Sequence, residues 1–256
     1  MTRPTGPGTA TGDASSEGAR RLDEHAAIDA TLASFGAAVS HDLREPLRSL
    51  DGFGQALIED YGDVLPAEAR LYLDRMIAAT DRLRARIDAL MRLTDTIRRP
   101  FERAAVDLGA LADEQIDHLR TSEPERVVRW TRADDLRVSG DRRLLQALVG
   151  ELIDNAWRFT APRATARIAF ERRGEGFVVV DDGVGFHPRF AERVFGAFSR
   201  YHAEDEFPGA GMGLAIARCA VERHGGRIAA RSELDRGTEI AFTLAPGAAL
   251  PDEVSP

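Results

Sequence analysis

His41 is the residue of this chain best placed to begin a reaction. It stands in the stretch Ser40-His41-Asp42-Leu43-Arg44-Glu45-Pro46-Leu47. At about 100° per residue on a helix, it lies far round from Val39 and Leu43, which belong to an apolar stripe, and so points to solvent. A neutral, exposed imidazole keeps a free nitrogen lone pair near physiological pH and is a competent nucleophile toward a phosphoryl group. Asp42 can accept a hydrogen bond from the other ring nitrogen, fix the tautomer and stabilise the charge that develops. Pro46 removes a backbone donor to the carbonyl of Asp42 and predicts a kink just there. His25, His118, His187, His202 and His224 lack such neighbours and read as surface or lid residues. In His224-Gly225-Gly226 the glycines read as a helix stop.

Three clusters downstream could hold a phosphorylated ligand. Glu151-Leu-Ile-Asp-Asn155-Ala-Trp-Arg158 puts Glu151, Asn155 and Arg158 at i, i+4 and i+7, along one helix face. An amide oxygen such as that of Asn155 is a hard ligand for Mg²⁺, which keeps most of its waters and bridges phosphates. Arg158 offers phosphate oxygens a bidentate fork, and Glu151 could orient a metal-bound water. A solvated charged face would explain Glu151 and Arg158 equally well, but it explains Asn155 poorly. Asp181 ends the apolar run Phe177-Val-Val-Val180 and opens Asp181-Asp-Gly183-Val-Gly185, a pattern that is also a common turn. Gly209-Ala-Gly211-Met-Gly213-Leu214 precedes a helix, whose first turn presents free N–H groups and a positive dipole end. Thr238, after Gly237, either touches phosphate or caps the last strand.

Positioning these residues requires two kinds of architecture. Residues 1–20 are rich in Gly, Thr, Ser, Pro and Ala without apolar periodicity and read as a disordered tail, as do residues 247–256. A first helix is expected from about Leu22 to Asp60, with the stripe Leu32, Val39, Leu43, Leu47, Leu50, Gly54 and Leu57. After a turn ending at Pro66, a second helix carries Leu73, Met76, Thr80, Leu83, Ile87, Leu90, Thr94 and Ile97 at alternating spacings of three and four, a heptad seam. Residues 21–99 therefore predict an antiparallel helical hairpin. Its bare face calls for a second copy in a four-helix bundle sealed by residues such as Leu83, Ile87 and Leu90.

Beyond Arg98-Arg99-Pro100 the pattern turns to mixed α and β, which makes residues 100–246 a second domain. Helices are expected near Leu108–Arg120, Asp141–Trp157 and Gly213–His224. Strands are expected near Arg126–Thr131, Thr165–Glu171 and Phe177–Asp181, with a last hairpin near Arg227–Ser232 and Glu239–Leu244. Helices grouped against such a sheet make an α/β sandwich.

Bulk composition narrows the partners. The net charge of −8 argues against a nucleic acid or an anionic membrane as partner. Lys is absent, so all 34 basic residues are Arg, a compositional bias. Cys219, the sole cysteine, excludes an intramolecular disulfide or a cysteine-based zinc cluster and reads as a small core residue. No apolar run is long enough to insert in a membrane, and the start lacks the apolar core of a signal peptide. The chain reads as cytoplasmic.

In this order the four motifs resemble the transmitter module of sensor histidine kinases. The resemblance is strongest to the phytochrome-like subset, where SHDLxxPLR and ERHGG also occur, and it covers roughly Leu32 to Leu244. It implies an α+β protein in which a helical hairpin forms a dimeric four-helix bundle, followed by an ATP-binding α/β sandwich of the histidine kinase, gyrase and chaperone type. It implies autophosphorylation of His41 by ATP and Mg²⁺ with help from Asp42 and Glu151, then transfer to an aspartate of a response-regulator receiver domain. Asn155 would hold the metal. Arg158, Asp181 (on the adenine amino group), Gly183, Gly185, Gly209, Gly211, Gly213, Leu214 and Thr238 would hold the nucleotide. The segment between Phe186 and Pro208 corresponds to a lid anchored by Phe195 and Phe198.

Glu45 departs from the pattern, since many relatives carry Thr or Asn there to position a hydrolytic water; kinase activity is therefore expected to outweigh phosphatase activity. Neither a sensory domain before the hairpin nor a receiver after Leu244 is expected within this chain, which reads either as a fragment of a longer protein with an upstream sensory domain or as a short kinase whose signal arrives through a partner protein. Two rival readings are a non-catalytic, nucleotide-binding adaptor for a receiver domain and a gyrase- or chaperone-like ATPase. Asn155 and the glycines argue against the first, and the hairpin bearing His41 argues against the second.

Overall fold

The computed structural model describes residues 43–98, 100–201, 206–207 and 209–251. The expected N-terminal tail, the start of the first helix, and His41 with Asp42 lie outside these residues, as does the kink expected at Asp42.

Helix α1 (43–61) and helix α2 (Ala67–Arg98) form the hairpin. The turn between them is closed by the N–H groups of Val64 and Leu65, which donate to the carbonyl of Tyr61 at 2.9 and 3.0 Å. Two ion pairs bridge the helices, Arg44 with Asp88 and Arg84 with Asp51, each at 2.7 Å. Most heptad positions fall into a buried and an exposed set, with Leu73 and Leu90 half-buried. On α1, Leu47 and Gly54 are buried, while Leu43, Leu50 and Leu57 remain exposed. On α2, Thr80, Ile87 and Thr94 are buried, while Met76 and Leu83 remain exposed. Ile87, expected to seal a contact with a second copy, is instead packed within its own chain. The outward-facing set is 43, 50, 57, 76 and 83.

The second unit holds the strands and helices expected from residue 100 onward, with ends shifted by a few residues. Helix α3 (Leu108–Ser122), β2 (Val128–Arg132), α4 (Arg142–Phe159), β4 (Ala166–Arg173) and β5 (Gly176–Asp181) come first. Helix α5 (Gly213–Arg223), β6 (Ile228–Glu233) and β7 (Gly237–Phe242) complete it. Two strands were not expected from the sequence. β1 (Arg103–Asp107) pairs antiparallel with β3 (Arg137–Asp141) in a small separate sheet. Their sequences, RAAVD and RVSGD, show no apolar alternation, so periodicity had nothing to report.

The main sheet runs β2-β4-β5-β7-β6, parallel between β2 and β4 and antiparallel elsewhere. On its inner face Ile168, Phe170, Val179 and Phe242 join Leu145, Leu148, Leu152 and Ile153 of α4 in one core. The outer face is partly covered as well. Leu250 packs against Val178 and Ala241, and Pro251 is buried, so residues 247–251 belong to the fold and not to a disordered tail. Burial on both sides explains why β5 reads as a continuous apolar run.

His224 is a further correction: it is buried, not a surface residue. Its Nδ1 faces the carbonyl of Ala220 at 2.7 Å, and its Nε2 accepts the N–H of Asp141 at 3.0 Å. Burial holds its pKa below the ordinary value. The ring thus ties the end of α5 to the start of α4. Cys219 is half-buried and not a core residue.

Candidate active site

Helix α4 builds both the core and the site. Leu144, Leu145, Leu148, Val149, Leu152, Ile153, Ala156 and Trp157 recur at helical spacing and are all buried. The intervening face carries Glu151, Asn155 and Arg158. The helix is fixed at its start by Asp141, whose carboxylate accepts N–H groups from Arg143 at 3.0 Å, Leu144 at 3.3 Å and Glu102 at 2.9 Å. Burial pushes that carboxyl up, but the three donors outweigh it and hold it below its usual range.

An open cleft with ≈ 1120 Å³ of empty space lies between α4, the ends of β5 and β7, the glycine-rich loop before α5, and a cover that includes Phe186, Val194, Arg200, Tyr201 and Phe207. Glu151, Asn155, Arg158, Asp181, Gly185, Gly209, Gly211, Gly213, Leu214 and Thr238 all line it, so residues spread over nearly ninety positions meet in one place. Gly183 stands just behind, its N–H donating to Asp181 Oδ1 at 2.9 Å.

Two glycines shape the cleft, and one of them is required by geometry. Gly185 has φ +60°, and a Cβ there would sit 2.1 Å from the carbonyl oxygen of Glu233. Gly213 opens α5, and a Cβ there would sit 2.5 Å from Glu151 Oε2 and 3.4 Å from Asn155 Nδ2. Any larger residue would have to displace the Glu151 carboxylate for α5 to start so close to α4. No side chain caps the N-terminus of α5, so its first N–H groups and dipole end face the cleft.

The electrostatics are uneven along the cleft. Burial raises the Asp181 carboxyl from 3.8 to about 7, even though the N–H groups of Gly183 and Thr238 favour its charged form. Burial also raises Glu151, an effect opposed by the nearby charge of Arg92. The buried Nδ2 of Asn155 has no hydrogen-bond partner within the protein, while its Oδ1 receives only a long 3.4 Å contact from Arg158. A buried amide so poorly satisfied is available to a ligand. No group of three or more His, Cys, Asp or Glu side chains among the described residues could hold a metal by itself. The donors present, one amide beside one carboxylate, suit an ion that keeps waters and takes its other ligands from phosphate.

The cleft's cover differs from expectation in its anchors. Phe195 is buried, but Phe198 is 49% exposed and has φ 60°. Tyr201, its ring tilted against Phe190 with centroids 4.4 Å apart, and Phe207, 5.2 Å from Phe159, hold this segment instead. Arg200 ties it to the glycine loop through the carbonyls of Gly209 and Phe207. Arg163 was missed in the sequence: it clamps the loop after β5 by donating to the carbonyls of Asp182 at 2.7 Å and Gly183 at 3.1 Å. Ala89 and Arg92 were missed as well. They come from α2, across the domain boundary, and both line the cleft. An Arg among thirty-four gives no local signal of that kind.

A helical hairpin is thus followed by an α/β unit whose cleft is floored by α4. Comparison with known proteins gives the same division. Residues 31–96 match the His Kinase A (phospho-acceptor) domain, and residues 140–248 match the histidine kinase-, DNA gyrase B-, and HSP90-like ATPase domain. The chain belongs to the histidine kinases and is a transmitter module. It is 31% identical over 222 residues to cyanobacterial phytochrome A of Nostoc sp., covering 86% of this chain and 29% of that protein. Similarity to the methanogenesis regulatory histidine kinase FilI of Methanothrix harundinacea is 33% over 233 residues, covering 88% of this chain and 26% of the relative. The sensor-like histidine kinase SenX3 of Mycolicibacterium smegmatis is 31% identical over 230 residues, with 86% and 59% covered. The chain thus spans under a third of the phytochrome's length.

Among solved structures, full-length ShkA in complex with AMPPNP shares the fold at TM-score 0.57 and 24% identity, over 86% of this chain and 46% of that one. The Acinetobacter baumannii histidine kinase AdeS shares it at TM-score 0.53 and 20% identity, over 81% and 98%. No helix among the described residues is long and apolar enough to cross a membrane.

The raised carboxyl of Asp181 yields a stability prediction. The folded protein holds that proton more tightly than the unfolded chain, so its contribution favours folding at low pH and is lost as pH rises from about 4 through about 7. Asp181→Asn removes the penalty. Thermal unfolding between pH 4 and pH 8 should show the variant gaining on wild type as pH rises. A difference that stays constant with pH would contradict the buried-carboxyl assignment.

Proposed function

We propose that this chain binds ATP with Mg²⁺, phosphorylates its own His41, and passes the phosphoryl group to an aspartate on a response regulator. The observation that carries the reading is the cleft itself, where Asn155 with its partnerless Nδ2, the uncapped start of α5 and the buried Asp181 line one cavity. Asp181 would accept the adenine amino group beside Gly183 and Gly185. Asn155, Arg158, Thr238 and the N–H groups around Gly209, Gly211, Gly213 and Leu214 would hold the phosphates. A bound Mg²⁺, held by Asn155, would neutralise phosphate charge during transfer.

In the reaction a neutral ring nitrogen of His41 attacks the γ-phosphorus, an N–P bond forms, and the bond to the β-bridging oxygen breaks to release ADP. The proton left on the phosphorylated ring passes to a nearby base, for which Asp42 and Glu151 are the candidates. His41 precedes Arg44 by three residues, and the Arg44–Asp88 ion pair supports this helix standing fixed against α2. The matches to kinases described as sensory or regulatory support an upstream sensory input; a cytoplasmic setting belongs to the same proposal. The domain limits belong to the same proposal: 21–99 for the hairpin, and 100 onward for the second unit, carried past 246 to Pro251 by the packing of Leu250.

The exposed heptad positions support a homodimer. Leu43, Leu50, Leu57, Met76 and Leu83 leave an apolar stripe along the hairpin that a second copy would cover. Glu45 is exposed on the same helix. As an anion it would repel both a phosphoryl group and a receiver's acidic pocket, which disfavours hydrolysis of the partner.

The test is incubation of the full chain with γ-labelled ATP and Mg²⁺. Acid-labile, base-stable label on wild type, absent from His41→Gln and from Asn155→Ala, is the expected result. Label persisting in His41→Gln would remove it as the nucleophile, and wild type that takes up none would sink the kinase reading. Light scattering should find Leu83→Glu monomeric where wild type is dimeric; an intact dimer would put the interface elsewhere. Glu45→Thr should hasten decay of a phosphorylated response regulator at least severalfold, whereas an unchanged decay would show that Glu45 is no obstacle.

A further inference from the structure

Helix α2 forms part of the wall of the cleft. Ala89 is fully buried in a small cluster with Met212 and Ile216, and Arg223 of α5 donates to the carbonyl of Thr96 at 2.5 Å. Three residues on from Ala89, and so on the same face, Arg92 reaches Glu151 with Nε 3.8 Å from Oε1. That separation is too long for a hydrogen bond, and the side chain is 58% exposed. An ion pair so open to water holds its partners weakly. Arg92 is therefore a cation kept in place by its helix and not by its partner, with its guanidinium fork free. It stands beside Glu151, and Glu151 in turn borders Asn155 and the start of α5.

We propose that Arg92 is a phosphate-binding residue that the hairpin contributes to the nucleotide site, where it contacts the terminal phosphoryl group of a nucleoside triphosphate. The inference rests on the ATP reading of the cleft. A guanidinium matches phosphate oxygens bidentately, a stronger contact than its loose pair with Glu151. A triphosphate would draw Arg92 off Glu151 and fasten α2 to the start of α5. The same cation would then stabilise the charge on the phosphoryl group as it leaves. A diphosphate lacks the group that Arg92 grips, so the contact ends once transfer is complete. The cleft thus distinguishes triphosphate from diphosphate through a residue outside the ATPase unit.

The experiment is calorimetric titration of the full chain with a non-hydrolysable ATP analogue and, separately, with ADP, both with Mg²⁺, for wild type, Arg92→Gln and Arg92→Lys. Arg92→Gln should lose about tenfold or more in affinity for the analogue, the scale of a hydrogen bond to a charged group, while keeping its affinity for ADP. Arg92→Lys should recover part of the loss. Equal losses for both nucleotides, or none for either, would overturn the assignment while leaving the ATP site intact. Wild type that binds neither nucleotide would instead overturn the ATP reading itself.

Discussion

Everything in the site depends on α4 serving two masters at a spacing of 3.6 residues per turn. Leu148, Leu152 and Ile153 must fill the core beneath the sheet, and that burial fixes the helix in rotation. Once it is fixed, Glu151, Asn155 and Arg158 can face only the cleft. A slip of one residue would turn Asn155 toward the core and leave its amide without solvent or ligand, a cost of about 1–3 kcal/mol for each stranded group. The caps guard against such a slip, with Asp141 at one end and Thr160 at the other. His224 adds a second lock by accepting the N–H of Asp141.

The approach of α5 follows from the same helix. Gly213 lets the start of α5 close on Glu151 and Asn155, and the packing of Met212 and Ile216 on Ala89 brings α2 to the same point. The hairpin and the ATPase-type unit are therefore joined at the cleft. α2 carries Asp88, which grips Arg44 of α1, and four residues later Arg92, which lines the cavity. One turn of helix touches both halves of the proposed chemistry. At the other side, Asp181 ends a strand buried on both faces, and that burial raises its carboxyl.

Much of this was legible in the sequence, for identifiable reasons. Heptad spacing exposed both helices of the hairpin, and the run Phe177–Val180 exposed the central strand. The i, i+4, i+7 spacing put Glu151, Asn155 and Arg158 on one face before any coordinate did. What escaped was set by tertiary contact. β1 and β3 show no alternation, and only tertiary packing, with Val106 in the core and Asp141 capping α4, reveals them. His224 looks like surface beside two glycines, yet Phe101 and Asp141 enclose it. Ile87 and Leu83 are indistinguishable in a heptad, but one is buried within the chain and the other is not. Arg92 and Arg163 act through neighbours more than fifteen residues away, beyond the reach of any local pattern.

The central claim is that the cleft is a nucleotide site built around an ionised Asp181. Calorimetry of a non-hydrolysable ATP analogue at pH 7, in buffers of different ionisation enthalpy, measures both binding and the protons that accompany it. With a carboxyl poised at about 7, binding that requires its charged form should release a fraction of a proton from Asp181, and Asp181→Asn should abolish that share together with most of the affinity. Absence of binding, or identical binding and proton release in Asp181→Asn, would contradict the account.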